Sequence, residues 1–290
     1  MPKILGVSRS GYNAFRRHTP SASQVKKEQG TGQIRAIHEE SHDIHGAPKI
    51  AAKMHQKGDR ISERTVGKYM RGIGIRACYR KPGIRTTGAP DFSSELKNRL
   101  KRDFQPERPD AAWCTGITCI WTCGGFVCLA GIMDLYPGKI LSRPPGETLE
   151  AKRVPEAVEK AKEKRQVTQP LVIHSGCGAQ YTCRDYEKAT GGTEGSYPAK
   201  ACPRDNACTE SFHALIKREW LSRFRIPDYS HAYRLVSEYT EAFCNTARIH
   251  SHCGYRSPGE YEKKYLAKVE AKMQETGYKC CCGGRSEGAE

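Results

Sequence analysis

The chain has no apolar run longer than the eight residues Phe126–Met133, against the ~20 that a membrane-spanning helix needs. Its first residues, Met-Pro-Lys-Ile-Leu-Gly-Val-Ser, lack an apolar stretch ahead of a small-residue cleavage site, so no secretory signal is expected. The expected location is the cytosol, where the 14 cysteines stay reduced rather than forming a disulfide framework. No Cys-x-x-Cys pair occurs, and structural zinc sites depend on such pairs, so no zinc is expected. Cys114, Cys119, Cys123 and Cys128 are spaced too irregularly for one, and strand positions 114 and 119 would point to opposite faces. The run Cys280–Cys282 reads as exposed accident rather than a site, since adjacent residues do not share one tetrahedral ion easily. Gly176-Cys-Gly178 lacks the Gly-Lys-Ser/Thr or G-x-G-x-x-G context of a phosphate-cradling loop. There is no internal repeat and no low-complexity block.

Acidic residues are scarce in the first third. Residues 1–100 carry 20 Lys and Arg against 8 Asp and Glu, a balance of +12, while the remaining 190 carry 28 against 24, only +4. A basic third on a nearly balanced remainder points to a nucleic-acid-binding module joined to another domain. Within it, Ile34 with Ile37 and Ile50 with Met54 have helical apolar spacing. Gly58 suits a left-handed helix end, Asp59-Arg60 a turn, and Ser62 an N-cap, with Ile61 placed to pack back on Val66. Val66, Tyr69 and Met70 form the apolar stripe of that next helix. Arg64, Lys68 and Arg71 fall on its outer face as candidate DNA contacts. Two short helices about a tight turn, the second with a basic exposed face, make a helix-turn-helix pattern.

Beyond a basic stretch with Pro82, Gly83, Gly88 and Pro90, the pattern changes to strands. Residues 112–121, 125–131 and 136–141 are rich in Ile, Thr, Val and aromatics and are separated by Gly or Pro. A charged amphipathic helix is expected over 148–164, a strand over 170–174, and helices from a cap at Asn206 to about Phe224 and over 230–246. Strands, helix, strand, then helices describe an α/β domain with a mixed sheet. In the helix after Asn206, Phe212, Leu215 and Ile216 make the expected buried stripe. Glu210 and Lys217, seven residues apart, share nearly the same face.

These segments resemble a known family in order and spacing. His45-Gly-Ala-Pro-Lys-Ile50 through Arg71-Gly-Ile-Gly-Ile75 resembles the helix-turn-helix of insertion-sequence-three transposases, specifically their second-frame, integrase-like protein. Leu5-Gly-Val-Ser-Arg-Ser-Gly-Tyr12 is similar to the start of that frame. Trp113-Cys-Thr-Gly-Ile-Thr-Cys-Ile120 resembles W-x-T-D-I-T-Y-I, Ile173-His-Ser-Gly-Cys-Gly-Ala-Gln-Tyr-Thr182 resembles H-S-D-x-G-x-Q-Y-T, and Asp205-Asn-Ala-Cys-Thr-Glu-Ser-Phe212 resembles D-N-A-x-x-E-S-F. Arg248-Ile-His-Ser-His-Cys-Gly-Tyr-Arg-Ser-Pro258 is similar to R-x-H-x-x-L-G-Y-x-S-P, with Cys253 in place of Leu.

The resemblance implies an α/β, ribonuclease H-like integrase core, a mixed sheet flanked by helices, preceded by an all-α helix-turn-helix segment. It implies residues 1–29 as a helical fragment, 30–80 as the DNA-binding segment and 81–102 as a basic linker. The core-like domain would then be 103–265 and a polar, disordered tail 266–290. The implied activity is DNA transposition and integration by recombination, with Mg²⁺ or Mn²⁺ as cofactor. Implied partners are the element's terminal repeats and target duplex, further copies of this chain in a homo-oligomer, and the first-frame protein. No membrane is involved, and DNA binding would place the chain at the nucleoid.

That chemistry gathers three carboxylates around two divalent ions at the scissile phosphate. The matching positions here are Gly116, Gly176 and Glu210, so two of the three ligands are missing and Glu210 alone is insufficient to hold the metals. The implied reading is a catalytically degenerate homologue, with a non-catalytic, regulatory or inhibitory DNA-binding relic as the alternative. Asp134 and Asp185 are the nearest spare carboxylates. The resemblance makes Lys217 a phosphate contact, flanked by Arg218. Cys119, Cys128, Cys244 and His45 stand where the family has Tyr. Asp to Gly, Tyr to Cys and Tyr to His are each one transition in the genetic code, a spectrum that fits either decay of an unselected copy or sequencing error.

Overall fold

The computed structural model describes residues 6, 8–17, 19–78, 97–142, 145–146, 153–176, 178–199 and 202–275. The chain divides into two units, residues 1–78 and 79–290. In the first, α1 (Arg9–Arg16) buries nothing, whereas α2 (Ala22–Glu40), α3 (Ala47–Gln56) and α4 (Glu63–Gly72) share a core. Ser21 opens α2 with a reciprocal capping box, its Oγ accepting from the Gln24 amide while Gln24 Oε1 accepts from the Ser21 amide. Ile34 and Ile37 of α2, Ile50, Ala51 and Met54 of α3, and Val66 and Met70 of α4 form one buried cluster, with Ile61 and Tyr69 against it. Gly58 sits at φ +94°, the turn expected of it. The expected break between residues 29 and 30 is corrected: the apolar faces at Ile34 and Ile37 belong to a helix that starts eight residues earlier, at Ala22.

Ser62 caps α4, accepting from the Thr65 amide at 3.2 Å. Ser62→Ala should cost the unit about 1 kcal/mol of stability. Urea unfolding followed by helix circular dichroism measures this, and an unchanged midpoint would show that the cap contributes nothing.

The second unit is built on a six-stranded sheet in the order β3-β2-β1-β5-β6, with a short β4 beside β2. β1 (Ala112–Thr122) and β2 (Gly125–Asp134) form an antiparallel hairpin in register from Trp113↔Asp134 to Thr122↔Gly125. β3 (Lys139–Ser142) and β4 (Pro145–Gly146) are antiparallel to β2, while β5 (Val172–His174) and β6 (Glu194–Ser196) continue from β1 in parallel, so the sheet is mixed. α5 (Arg153–Arg165) covers one face through Val154, Ala157, Val158 and Ala161 against Trp113, Ala130, Ile132 and Ile173, with Ile117 alongside. Gly116 instead meets Thr209 and His213 of α7 (Ala207–Glu219). Successive strand residues face opposite ways, so α5 and α7 take opposite faces. α6 (Arg184–Ala189) follows the β5 loop, and α8 (Tyr229–Ser237) runs directly into a π-helix, Glu238–Cys244.

Several expected boundaries move. Tyr136 lies in a turn closed by Gly138 at φ +68°, so β3 starts at Lys139, and β2 extends to Asp134. The amphipathic helix begins at Arg153, and residues 147–152 lie outside the described ones. α7 ends at Glu219, because Trp220 at φ −126° and ψ −68° leaves the helix and buries its indole. Its buried stripe includes Thr209, His213 and Glu219, while Leu215 is only half-buried. The basic linker is shorter than 81–102 at its end, since Ser196 Oγ accepts from the amides of Arg99 and Leu100, and Leu100 is buried beside Ala112, Cys114 and Leu135. The rest of it, through residue 96, lies outside the described residues. The tail is corrected likewise: α9 (Pro258–Glu275) continues helically through 266–275, and only 276–290, including Cys280–Cys282, lie outside the described residues.

α9 is held by a charged clasp. Arg165 pairs with Asp110, Asp134 and Glu262, and Lys139 also pairs with Glu262. Asp134 is fully buried; burial first, then the Asp110 charge, push its pKa up to about 7 against two backbone amides and Arg165. A carboxyl raised in the fold from 3.8 unfolded stabilises the fold in its neutral form, and this contribution is lost as pH rises through about 7. The melting temperature of the chain, compared with that of Asp134→Asn, should therefore fall progressively more between about pH 4 and pH 7. Parallel curves across that range would place the titration elsewhere.

Candidate functional site

The first turn of α7 is fixed to β1 by side chains that precede it. Asn206 is the N-cap residue of α7, but its side chain makes no cap bond to the helix; its Nδ2 donates to the Thr115 carbonyl at 3.1 Å, and its Oδ1 accepts from Thr209 Oγ1 at 3.0 Å. Asp205, buried, accepts from Asn98 Nδ2, the Ala199 amide and Arg102 Nε. Burial opposes its ionisation, but the amide and the guanidinium hold its pKa below the usual carboxylate value. The Asp205-Asn206 pair thereby sets where Glu210 stands relative to β1, a positioning role that the sequence motif contains but that its residue types alone do not reveal.

Gly116 is buried on β1 under that turn. A Cβ built there would lie 2.5 Å from Thr209 Cγ2 and 3.2 Å from His213 Cε1. Gly176 lies two residues past the end of β5, beyond its last pair with β1, Cys114↔His174. A Cβ at 176 would lie 2.9 Å from the ring of Tyr181, itself buried edge-on to Tyr186. Glu210 is exposed in the first turn of α7, next to Thr209. Gly116 thus lies against the first turn of α7, which carries Glu210, whereas Gly176 lies against Tyr181 of the core that α5 covers.

A pair of divalent metals does not fit this arrangement. Neither glycine offers an oxygen, and the volume beyond each Cα is filled by the Thr209 methyl and the Tyr181 ring. Among the described residues no three His, Cys, Asp or Glu side chains gather as a metal site. Asp134 pairs with Trp113, three residues from Gly116 along β1, and its carboxylate is committed to Arg165. Asp185 is exposed in the first turn of α6. His213 is neutral: burial, with a smaller push from the Lys217 charge, lowers its pKa to about 3. His174, left without a role in the sequence, is also buried. Ser196 Oγ already accepts two amides, so its hydroxyl donates to His174 Nδ1 at 2.9 Å, which places the imidazole proton on Nε2.

The candidate DNA contacts lie in both units. Arg64, Lys68 and Arg71 are exposed along α4 at i, i+4 and i+7, opposite buried Val66 and Met70. Lys217 is exposed on α7 and Arg218 half-buried beside it. The largest feature that residue reading missed is a buried ion pair. Arg248 donates to Glu219 from Nη2 at 2.8 Å and from Nε at 2.9 Å, and Tyr239 Oη donates to the same carboxylate at 2.9 Å. This explains the Arg of the C-terminal motif: it anchors that segment to the end of α7. Cys253, in the Leu position, is buried with its thiol toward the Pro137 carbonyl.

Comparison with known proteins places this geometry. An HTH-like domain matches residues 26–83, and integrase core domains match residues 106–193 and 192–258. The 31 kDa protein of insertion element IS600 from Shigella sonnei is 28% identical over 267 residues, covering 91% of this chain and 98% of that one. Transposase InsF of insertion sequence IS3A from Escherichia coli K12 is 28% identical over 275 residues, covering 92% and 94%. Among solved structures, the HTLV-2 integrase catalytic core domain in complex with magnesium is similar over 55% of this chain and 99% of that chain, at 13% identity and TM-score 0.42. No helix among the described residues is long and apolar enough to cross a membrane.

Proposed function

We propose, for a chain that belongs to the integrase-core transposases of the insertion-sequence-three type, that DNA binding has outlasted strand transfer. The observation that carries this reading is Gly116, packed under Thr209 and His213 where the chemistry requires a carboxylate. The family works with divalent metal, Mg²⁺ or Mn²⁺, held by three acidic side chains at the matching positions. Here only Glu210 remains. Binding draws on different residues. Arg64, Lys68 and Arg71 present one cationic face of α4, and the unit from α2 through α4 keeps its core intact. Lys217 and Arg218 would hold the DNA backbone beside Glu210.

On this reading the chain occupies terminal repeats at the nucleoid of a bacterial cytoplasm. It would do so as a homo-oligomer or together with the element's first-frame protein, and act as a regulator or inhibitor of intact copies. Full-length protein titrated onto duplex carrying the terminal repeat should show steeply salt-dependent binding, because each phosphate neutralised releases counterions. Arg64→Ala, Lys68→Ala and Arg71→Ala combined should weaken binding and reduce the log–log salt slope by up to about 3. Unchanged affinity and slope would move the recognition face elsewhere, to residues 81–102 first.

A further inference from the structure

Cys119 of β1 and Cys128 of β2 are directly opposed across the hairpin, and their Sγ atoms lie 2.9 Å apart. Both are thiols in the structure. Cys119 is half-buried and open to solvent on one side, whereas Cys128 is buried. Directly opposed residues in an antiparallel pair hold their Cβ atoms ~4.5–5.5 Å apart, within a small strand adjustment of the ~3.5–4.5 Å that a disulfide requires. Lys217 on α7 stands near both sulfurs. Neither cysteine takes part in the site or the DNA-binding face described above.

We propose that Cys119 and Cys128 are a modification site, a cross-strand dithiol that low-molecular-weight disulfides oxidise to an intramolecular disulfide. In the first step the Cys119 thiolate attacks one sulfur of the small disulfide. A bond forms between Cys119 Sγ and that sulfur, the S–S bond of the oxidant breaks, and its other half leaves as a thiolate that takes up the proton from Cys119. In the second step Cys128 Sγ, losing its proton, attacks Cys119 Sγ and expels the remaining half as a second thiol. The protein loses two hydrogens and two electrons, and the oxidant gains both. The order follows from exposure: Cys119 is the reachable sulfur, while Cys128 is buried, its pKa pushed up to about 12 by burial and the neighbouring thiol, and is left to resolve the mixed disulfide. The product closes the hairpin over its Cys123-Gly124 turn, three residues from Gly116.

The test uses the full-length chain and oxidised glutathione. After alkylation of remaining thiols, cleavage following Trp121 and Phe126 separates the two cysteines. Oxidation should yield a 119–128 linked peptide lighter by two hydrogens than the sum of its reduced parts, with loss of alkylation at both positions. Cys128→Ser should instead accumulate a glutathione adduct on Cys119, and Cys119→Ser should leave Cys128 alkylatable only after denaturation. Circular dichroism of both variants checks that the hairpin still folds. Exposed Cys123 reports that the oxidant acted. A glutathione adduct on Cys123 with 119 and 128 still reduced, or linkage of Cys123 to either, overturns the proposal.

Discussion

Mixed with terminal-repeat duplex and Mg²⁺ or Mn²⁺, the unmodified chain should join no DNA ends. Loss of two of three anionic ligands removes nucleophile activation and leaving-group stabilisation together, several kcal/mol of barrier. The structure adds that restoring the acids is more than a matter of two residues. Gly116→Asp brings a Cβ within 2.5 Å of Thr209 Cγ2, and Thr209 is not free to rotate away, because its Oγ1 is bonded to Asn206. Overpacking of this kind costs about 1–3 kcal/mol. Gly176→Asp meets the buried Tyr181 ring in the same way. The double reversion should therefore unfold at lower urea than the parent. Adding Thr209→Ala, which deletes the obstructing methyl, should recover part of that loss, and any joining activity should emerge first in the triple variant. The opposite result is also readable: joining by the unmodified chain that vanishes in Glu210→Ala would mean that other carboxylates have moved into the ligand positions.

Arg248→Ala should strongly destabilise the second unit. It takes two donors, Nη2 and Nε, from the buried Glu219 carboxylate. Breaking a buried pair from one side costs about 3–5 kcal/mol. Replacing both partners by apolar residues, Arg248→Met with Glu219→Leu, removes both buried charges together and should recover most of the loss. Urea midpoints of the singles and the double give the coupling directly. Additive losses, with the double worse than either single, would mean that the pair stabilises far less than its geometry suggests.

The helical unit was legible because its signals are local: Ser62 as a cap, Gly58 as a left-handed turn, and Ile50 with Met54 facing Val66 with Met70. The strands were legible as composition, but their ends were set by neighbours. β2 runs on to Asp134 because Arg165 waits there for its carboxylate, and α7 stops where Trp220 turns into an aromatic cluster with Tyr239 and Phe243. At the site, motif spacing put Gly116 beneath the helix of Glu210. What filled the vacated space was not in the motif, since Thr209 occupies a variable position of D-N-A-x-x-E. The roles of Asp205, Asn206, Glu219 and Arg248 were hidden for a similar reason. Each bonds a group from 20 to 107 residues away, a separation that no local pattern encodes.

The clasp around Arg165 bears on which damaged reading frames still yield protein. Glu262 answers both Lys139 and Arg165 from the first turns of α9. A premature stop codon or frameshift upstream of it would withdraw the carboxylate from two cations at the edge of the sheet, and would also unstack Tyr261 from Tyr136. Gly116 and Gly176 take no part in these bonds. On the proposed reading, changes at 116 and 176 leave this clasp in place, whereas a chain cut short before Glu262 should lose it and unfold more readily.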